Sequence, residues 1–198
     1  AMDARRHEAT VFQAPTSEPI TLEQAKLFAG VTSTTDDDLI GLMITGAVQY
    51  FQRKTGHQTI EATFEQAWDG FPCEFECDWG PVGSVSWIKY YDTAGTQQTL
   101  ATTEYWTSLS ARPARVIKAY GIVWPDVQYG RPESVTMRYT AGYALADNME
   151  QGMLVAIMEL VRHWYTERGP ETHGGGIPKD VPYTLAALID SYNLRGYR

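Results

Sequence analysis

Thr35-Asp36-Asp37-Asp38-Leu39-Ile40-Gly41-Leu42-Met43-Ile44-Thr45-Gly46-Ala47-Val48-Gln49-Tyr50-Phe51-Gln52-Arg53-Lys54-Thr55-Gly56 has the period of a helix. A few residues on, Glu61-Ala62-Thr63-Phe64-Glu65-Gln66-Ala67-Trp68 has the period of a strand. In the first stretch Leu39, Ile40, Met43, Ile44, Ala47, Val48 and Phe51 recur at helical spacing. Thr35 is a candidate cap, three aspartates sit at the positive dipole end, and Arg53 and Lys54 sit in the last turn before Gly56. The aspartates are better explained by helix-terminus electrostatics than by a metal. In the second stretch side chains alternate, and Asp69-Gly70 signals a turn. The chain therefore leaves a helix and enters a β region, and the question is where it returns.

It returns near Asp147. Met149, Met153, Leu154, Ile157, Leu160, Val161 and Trp164 mark one helical face over residues 147–168, with Asp147 and Glu150 spaced as at a helix start. Gly169-Pro170 ends this helix. Gly174-Gly175-Gly176 reads as a loop, since no Lys-Ser/Thr follows it as in a phosphate loop. A last helix follows Pro182, with Leu185, Leu188 and Ile189 inward. Upstream, Thr21 and Gln24 form a capping-box pattern for a short helix that Gly30 ends. Between the helical parts, strands are expected at Glu61–Trp68, around Phe75, over Val85–Tyr91, Thr96–Leu100, Tyr105–Ser108 and Arg115–Ala119, and over Ser134–Thr140. Cys73, Phe75, Cys77 and Trp79 are expected on one face, and Glu74, Glu76 and Asp78 on the other.

These helices are too short to stand alone, so their apolar faces must pack together. The expected fold is α+β: a four-helix bundle discontinuous in sequence (residues 18–57 plus 145–198), carrying an inserted antiparallel β subdomain of six or seven short strands (residues 58–144). Residues 1–17, with mixed charge and Pro15, are expected to be a flexible N-terminal arm.

Composition narrows the function. The 198 residues are 43% hydrophobic and carry a net charge of −8, half of it in residues 58–144. No basic block exists, which disfavours phosphate-backbone binding as a main task. No apolar run reaches the ~20 residues that span a bilayer, and no secretory leader is expected. Cys73 and Cys77 would lie ~13 Å apart on an extended strand, beyond disulfide reach, so both are expected as free thiols. His7, His57, His163 and His173 stand in no catalytic or metal motif. No catalytic, metal or cofactor residue is assigned. Glu74, Glu76 and Asp78 form the one carboxylate row, expected as a solvated, contact or lumen-lining face. The six Trp and twelve Tyr either fill the β layers or serve as interface anchors.

Read in order, several segments resemble the head–tail connector (adaptor) proteins of tailed bacteriophages and gene-transfer particles, in the branch with a β insert in the helical bundle. They are Ile20-Thr21-Leu22-Glu23-Gln24-Ala25-Lys26, Asp38-Leu39-Ile40, Tyr50 through Gly56, Asp69-Gly70-Phe71-Pro72, Ser84-Val85 leading to Tyr90-Tyr91-Asp92, and Gly95. Trp124-Pro125, Arg138-Tyr139-Thr140-Ala141-Gly142-Tyr143 and His163-Trp164-Tyr165 complete the set. Cys73-Glu74-Phe75-Glu76-Cys77 departs from the more aliphatic pattern of such sequences. The resemblance implies a non-enzymatic virion subunit, made in the bacterial cytoplasm and placed at the head–tail junction. It implies a dodecameric ring under the portal that meets tail or head-completion proteins and lets DNA pass without specific binding. It also implies that Leu194, Arg195, Tyr197 and Arg198 touch the portal. The alternative function is a glycan-binding or adhesive module using the aromatic side chains of the β insert.

Overall fold

The structure, a computed structural model, describes residues 4–167 and 181–194. These form two compact units, one of residues 4–15 and Glu61–Gly142, the other of Thr16–Ile60 and Tyr143–Leu194.

The second unit is helical. Helix α1 (Leu22–Ala29) opens on the expected capping box: Thr21 Oγ1 accepts from the Gln24 amide at 3.1 Å, and Gln24 Oε1 accepts from the Thr21 amide at 2.8 Å. Gly30 closes it at φ 71°, a left-handed conformation that favours glycine. Helix α2 (Asp37–Thr55) differs at its start from the expectation. Asp36, not Thr35, holds the cap position, and its carboxylate accepts from the Tyr165 hydroxyl at 2.8 Å instead of capping. Asp37 pairs with Lys26 at 2.5 Å. Helix α3 (Gln151–Thr166) starts four residues later than the Asp147 signal, because Ala146–Asn148 form a 3-10 turn and Glu150 is extended. Helix α4 (Tyr183–Ser191) follows Pro182. Gly169-Pro170 and the triple glycine lie outside the described residues.

The four helices share one core. Ala25 of α1, Ile40, Ile44, Ala47, Val48 and Phe51 of α2, and Leu185 and Ile189 of α4 pack with the buried stripe of α3. Fully burying an aliphatic or aromatic side chain contributes roughly 1.5–3 kcal/mol, so this shared core, more than propensity, holds the short helices. Backbone proximity matters as well. Gly152 of α3 lies under the Tyr192 ring, where a Cβ would come 2.2 Å from the hydroxyl oxygen.

The first unit is a two-sheet antiparallel sandwich. One sheet has the order β1 (Thr10–Gln13), β2 (Ala62–Trp68), β8 (Val135–Ala141), β4 (Val82–Tyr91), β5 (Gln97–Thr99), and the other β3 (Glu74–Glu76), β7 (Arg115–Lys118), β6 (Tyr105–Ser108). Strands β2 (Ala62–Trp68) and β8 (Val135–Ala141) are the central pair of the larger sheet. They alternate strictly, with Phe64 opposite Tyr139 and Trp68 opposite Val135. Strand β4 (Val82–Tyr91) flanks β8, and short β5 (Gln97–Thr99) returns from the Asp92 turn. Strands β3 (Glu74–Glu76), β6 (Tyr105–Ser108) and β7 (Arg115–Lys118) form the second sheet. Trp68 and Phe75 meet edge-on between the sheets, with ring centroids 4.8 Å apart. The described fold is thus α+β as expected, with seven strands between residues 61 and 142.

The arm is a correction to the sequence reading. Thr10–Gln13 form strand β1, which pairs antiparallel with β2 and opens the larger sheet. Four residues without alternation carry no period to read, and their register partners Thr63, Phe64 and Glu65 are far away along the chain. Cys73 is a second correction. It is exposed, whereas Phe75 and Cys77 are buried, because β3 extends only over the three residues that β7 can pair.

Candidate functional site

The carboxylate row does not form an open acidic face. Glu74 sits 3.2 Å from the Arg115 guanidinium across the β3–β7 ladder. Glu76 lies 3.1 Å from Arg6, which also pairs with Asp78. Asp78 further accepts the Ala9 amide at 2.9 Å. The alternation that placed these three groups together is real, but each of them pairs with one of two arginines. Arg6, His7, Glu8, Glu76, Cys77, Asp78 and Pro113 line a recess of about 470 Å³. Among the described residues no three His, Cys, Asp or Glu side chains are arranged to hold a metal ion. Burial pushes the Cys77 thiol up to about 12, so it is protonated and inert as a nucleophile at neutral pH.

Beside this recess His7 Nε2 lies 2.7 Å from Asp69 Oδ1. Asp69 also accepts the Glu133 amide at 2.9 Å, where Glu133 has φ 53°, uncommon for a residue with a side chain. The Glu133 amide, and then His7, hold the Asp69 carboxyl below its usual range. These groups fasten the backbone around residues 5–9: His7 N–H donates to Ala67 O at 2.9 Å, and Asp69 N–H to Arg5 O at 3.0 Å.

The aromatic side chains divide between core and surface. Trp68, Phe64 and Tyr139 are core. Trp79 stacks on Phe64 at 5.8 Å, and Trp124 stacks on Phe71 at 4.9 Å while its Nε1–H donates to Pro72 O. On the outer face of the larger sheet, the Arg138 guanidinium lies 3.5 Å from the Phe12 ring centre and 4.8 Å from that of Trp87, and Lys89 is 4.5 Å from Trp87. Arg138 also pairs with Glu65. Cations therefore cover the Phe12 and Trp87 rings on this face. Trp106, Tyr120 and Tyr129 of the β unit are exposed, and so are Leu27 and Leu42 of the helical unit. A sequence reading finds Tyr120 and Tyr129 only as aromatic residues inside an irregular loop; their exposure has no sequence signature.

At the end of α2, Gly46, Gln49, Tyr50, Arg53, Lys54 and Trp164 border a groove of about 520 Å³. Tyr50 and Trp164 meet edge-on at 6.2 Å, and a Cβ on Gly46 would press the Trp164 ring at 3.3 Å. Of the four residues expected at a portal, Leu194 is half-buried and its amide donates to Thr55 O at 2.8 Å. Arg195, Tyr197 and Arg198 lie outside the described residues.

The described surface thus combines paired carboxylates, cations over the Phe12 and Trp87 rings, and solvent-facing apolar side chains on both units. Residues 19–72 match the model of a family described as the phage gp6-like head-tail connector proteins. No curated protein matches the sequence. Among solved structures, a chain of the virion of a native gene transfer agent particle is similar over 94% of this chain and 95% of its own, with a TM-score of 0.74 at 17% identity. A chain of the neck of the empty gene transfer agent particle, computed with C6 symmetry, has a TM-score of 0.73 at 16% identity over the same shares. A chain of the neck of the native particle, computed with C12 symmetry, has a TM-score of 0.68 at 18% identity, again over 94% and 95%. The family match on the N-terminal helices and the shared fold of the whole chain agree with the resemblance read from the sequence.

Proposed function

We propose that this chain is a structural subunit of a phage or gene-transfer-particle head–tail connector. Copies form a ring at the head–tail junction, between portal and tail, and DNA passes through it. The observation that carries this reading is the likeness of the whole fold, over 94% of the chain, to a chain of a gene-transfer particle, joined to the connector-family match over residues 19–72. The physical features support it. A ring needs two different surfaces that close head to tail, and exposed apolar side chains are available on both units. A net charge of −8 repels DNA and suits a conduit. The ring has the portal on one side and tail or head-completion proteins on the other. Leu194 with Arg195, Tyr197 and Arg198 is the candidate portal-gripping segment, and the expected ring is dodecameric.

The test is direct imaging. The purified protein is mixed with the portal of its particle at micromolar concentration, separated by size and viewed by electron microscopy. Co-migration, with added ring density on one face of the portal, is the expected result. Portal and protein eluting apart, with bare portals in the images, refutes the reading.

A further inference from the structure

The N-terminal segment is bound to the β unit as a ligand is bound, by polar pairing more than by burial. Its backbone pairs through His7 to Ala67, Arg5 to Asp69, and β1 to β2. Its register is fixed by charge: Arg6 enters between Glu76 and Asp78, and His7 meets Asp69. Ala9 joins the core, yet every residue of β1 is exposed, and so is the whole run from residue 10 to residue 18. The chain then passes from the β unit to the helical unit between residues 15 and 16. Only Ala14-Pro15-Thr16-Ser17-Glu18, an exposed and irregular connection, ties the seated segment to the rest of its own chain.

A seat of this kind accepts the same segment from another copy without loss of a contact. Only the connecting residues change course, which is why exchange of an identical element is a low-cost route to association. A ring holds neighbours at fixed distance and so raises the effective concentration of the neighbour's segment. The connection of five residues reaches at most about 17 Å, so the exchange is confined to adjacent copies. We propose that in the assembled ring residues 4–13 of each copy occupy the Glu76–Asp78–Asp69 seat of the next copy and add their β1 to its β2. The identity of the partner rests on the ring reading above; the chemistry of the seat does not. Glu76 and Asp78, expected in a solvated, contact or lumen-lining row, thereby become the socket of a subunit clasp.

A charge-exchange pair tests it in rings assembled on the portal of the particle and verified by imaging. One variant carries Arg6→Glu; the other carries Glu76→Arg with Asp78→Arg. Within either variant alone, arm and seat repel in every copy. In a mixture, the reversed arm of the first fits the reversed seat of the second, and the native arm of the second fits the native seat of the first. Amide hydrogen exchange over residues 5–13 is expected to quicken by about tenfold or more in each variant alone. In rings assembled from the equimolar mixture it should return to the wild-type rate, with both variants present in the same ring. Exchange that stays fast in the mixture overturns the proposal.

A second measurement decides independently, should either charge variant fail to fold or keep its arm seated. Thr10 and Glu65 are register partners. Thr10→Cys with Glu65→Cys, in a Cys73→Ser background, is oxidised in rings verified by imaging. A ladder of covalently joined copies supports exchange. Intramolecular disulfides alone overturn it, while the connector reading stands.

Discussion

The helical unit depends on one fully buried ring, and removing it gives the sharpest test of the packing argument. Phe51 lies in the last full turn of α2 with no exposed surface, its ring centre 6.5 Å from that of His57 and 6.2 Å from that of Tyr192. Replacing it by alanine removes the buried ring and leaves a cavity that the ends of α2 and α4 must close or tolerate. Such a change costs about 3–5 kcal/mol. For a chain of this length each kcal/mol lowers Tm by about 2–4 °C, so Phe51→Ala should lower the helical transition by about 6–20 °C. Leu42 lies on the same helix and is 73% exposed. Leu42→Ala should stay within about 0.5 kcal/mol of wild type. The assay is thermal unfolding of the purified protein followed by circular dichroism at the helical band. Equal losses for the two variants, or a loss below about 1 kcal/mol for Phe51→Ala, would refute the assignment of the inner face.

Two further outcomes concern ionisable groups. Asp69 is held in its charged form, so its folded pKa lies below the unfolded one; its contribution is complete at neutral pH and fades only as pH falls below the usual carboxylate range toward the folded value. Asp69→Asn should therefore be less stable than wild type at pH 7, with the gap narrowing below about pH 4; a gap that widens with acid contradicts the sign. Cys77 is buried with its thiol raised to about 12, whereas Cys73 is exposed. A thiol reagent at pH 8 should modify one cysteine of the native chain at once and the second only after denaturation, and mass mapping should find the first label on Cys73. Prompt double labelling of native protein would contradict the burial of Cys77.

Period was the legible part of this sequence. The inner stripe of α2 and the alternation of β2 are local patterns: the strand face is buried as read, and of the α2 stripe Ile40, Ile44, Ala47, Val48 and Phe51 are buried, while Met43 is half-buried and Leu39, at the helix start, is exposed. What escaped was set by partners distant along the chain. The row of Glu74, Glu76 and Asp78 could be read as a row, but its ion pairing depends on Arg115, 41 residues from Glu74, and on Arg6, 70 residues from Glu76. Strand β1 exists because β2 offers an edge, not because Thr-Val-Phe-Gln announces a strand. At the start of α3 the acid spacing of Asp147 and Glu150 suggested a cap, yet the backbone makes a 3-10 turn and an extended step before the helix. Capping chemistry states what a helix start can use and leaves open where tertiary packing begins the helix. Cys73 shows the same limit, since the length of β3 is decided by β7.

On the proposed connector reading, folding and assembly would draw on different residues of this chain. Each unit has its own core, and neither core uses Leu27, Leu42, Trp106, Tyr120 or Tyr129. Large apolar side chains in water add little to the stability of the isolated subunit and raise the risk of nonspecific association. Their presence is economical where the working state covers them, as in the closed interfaces of a ring. Charge obeys the same division. Glu76 and Asp78 are committed to Arg6, and Glu74 to Arg115, so on the proposed reading any repulsion of DNA would come from other, scattered carboxylates and not from this row. Leu42 then separates the two demands: its truncation leaves the fold intact by the argument from exposure, and any deficit it causes in ring formation belongs to contact between copies.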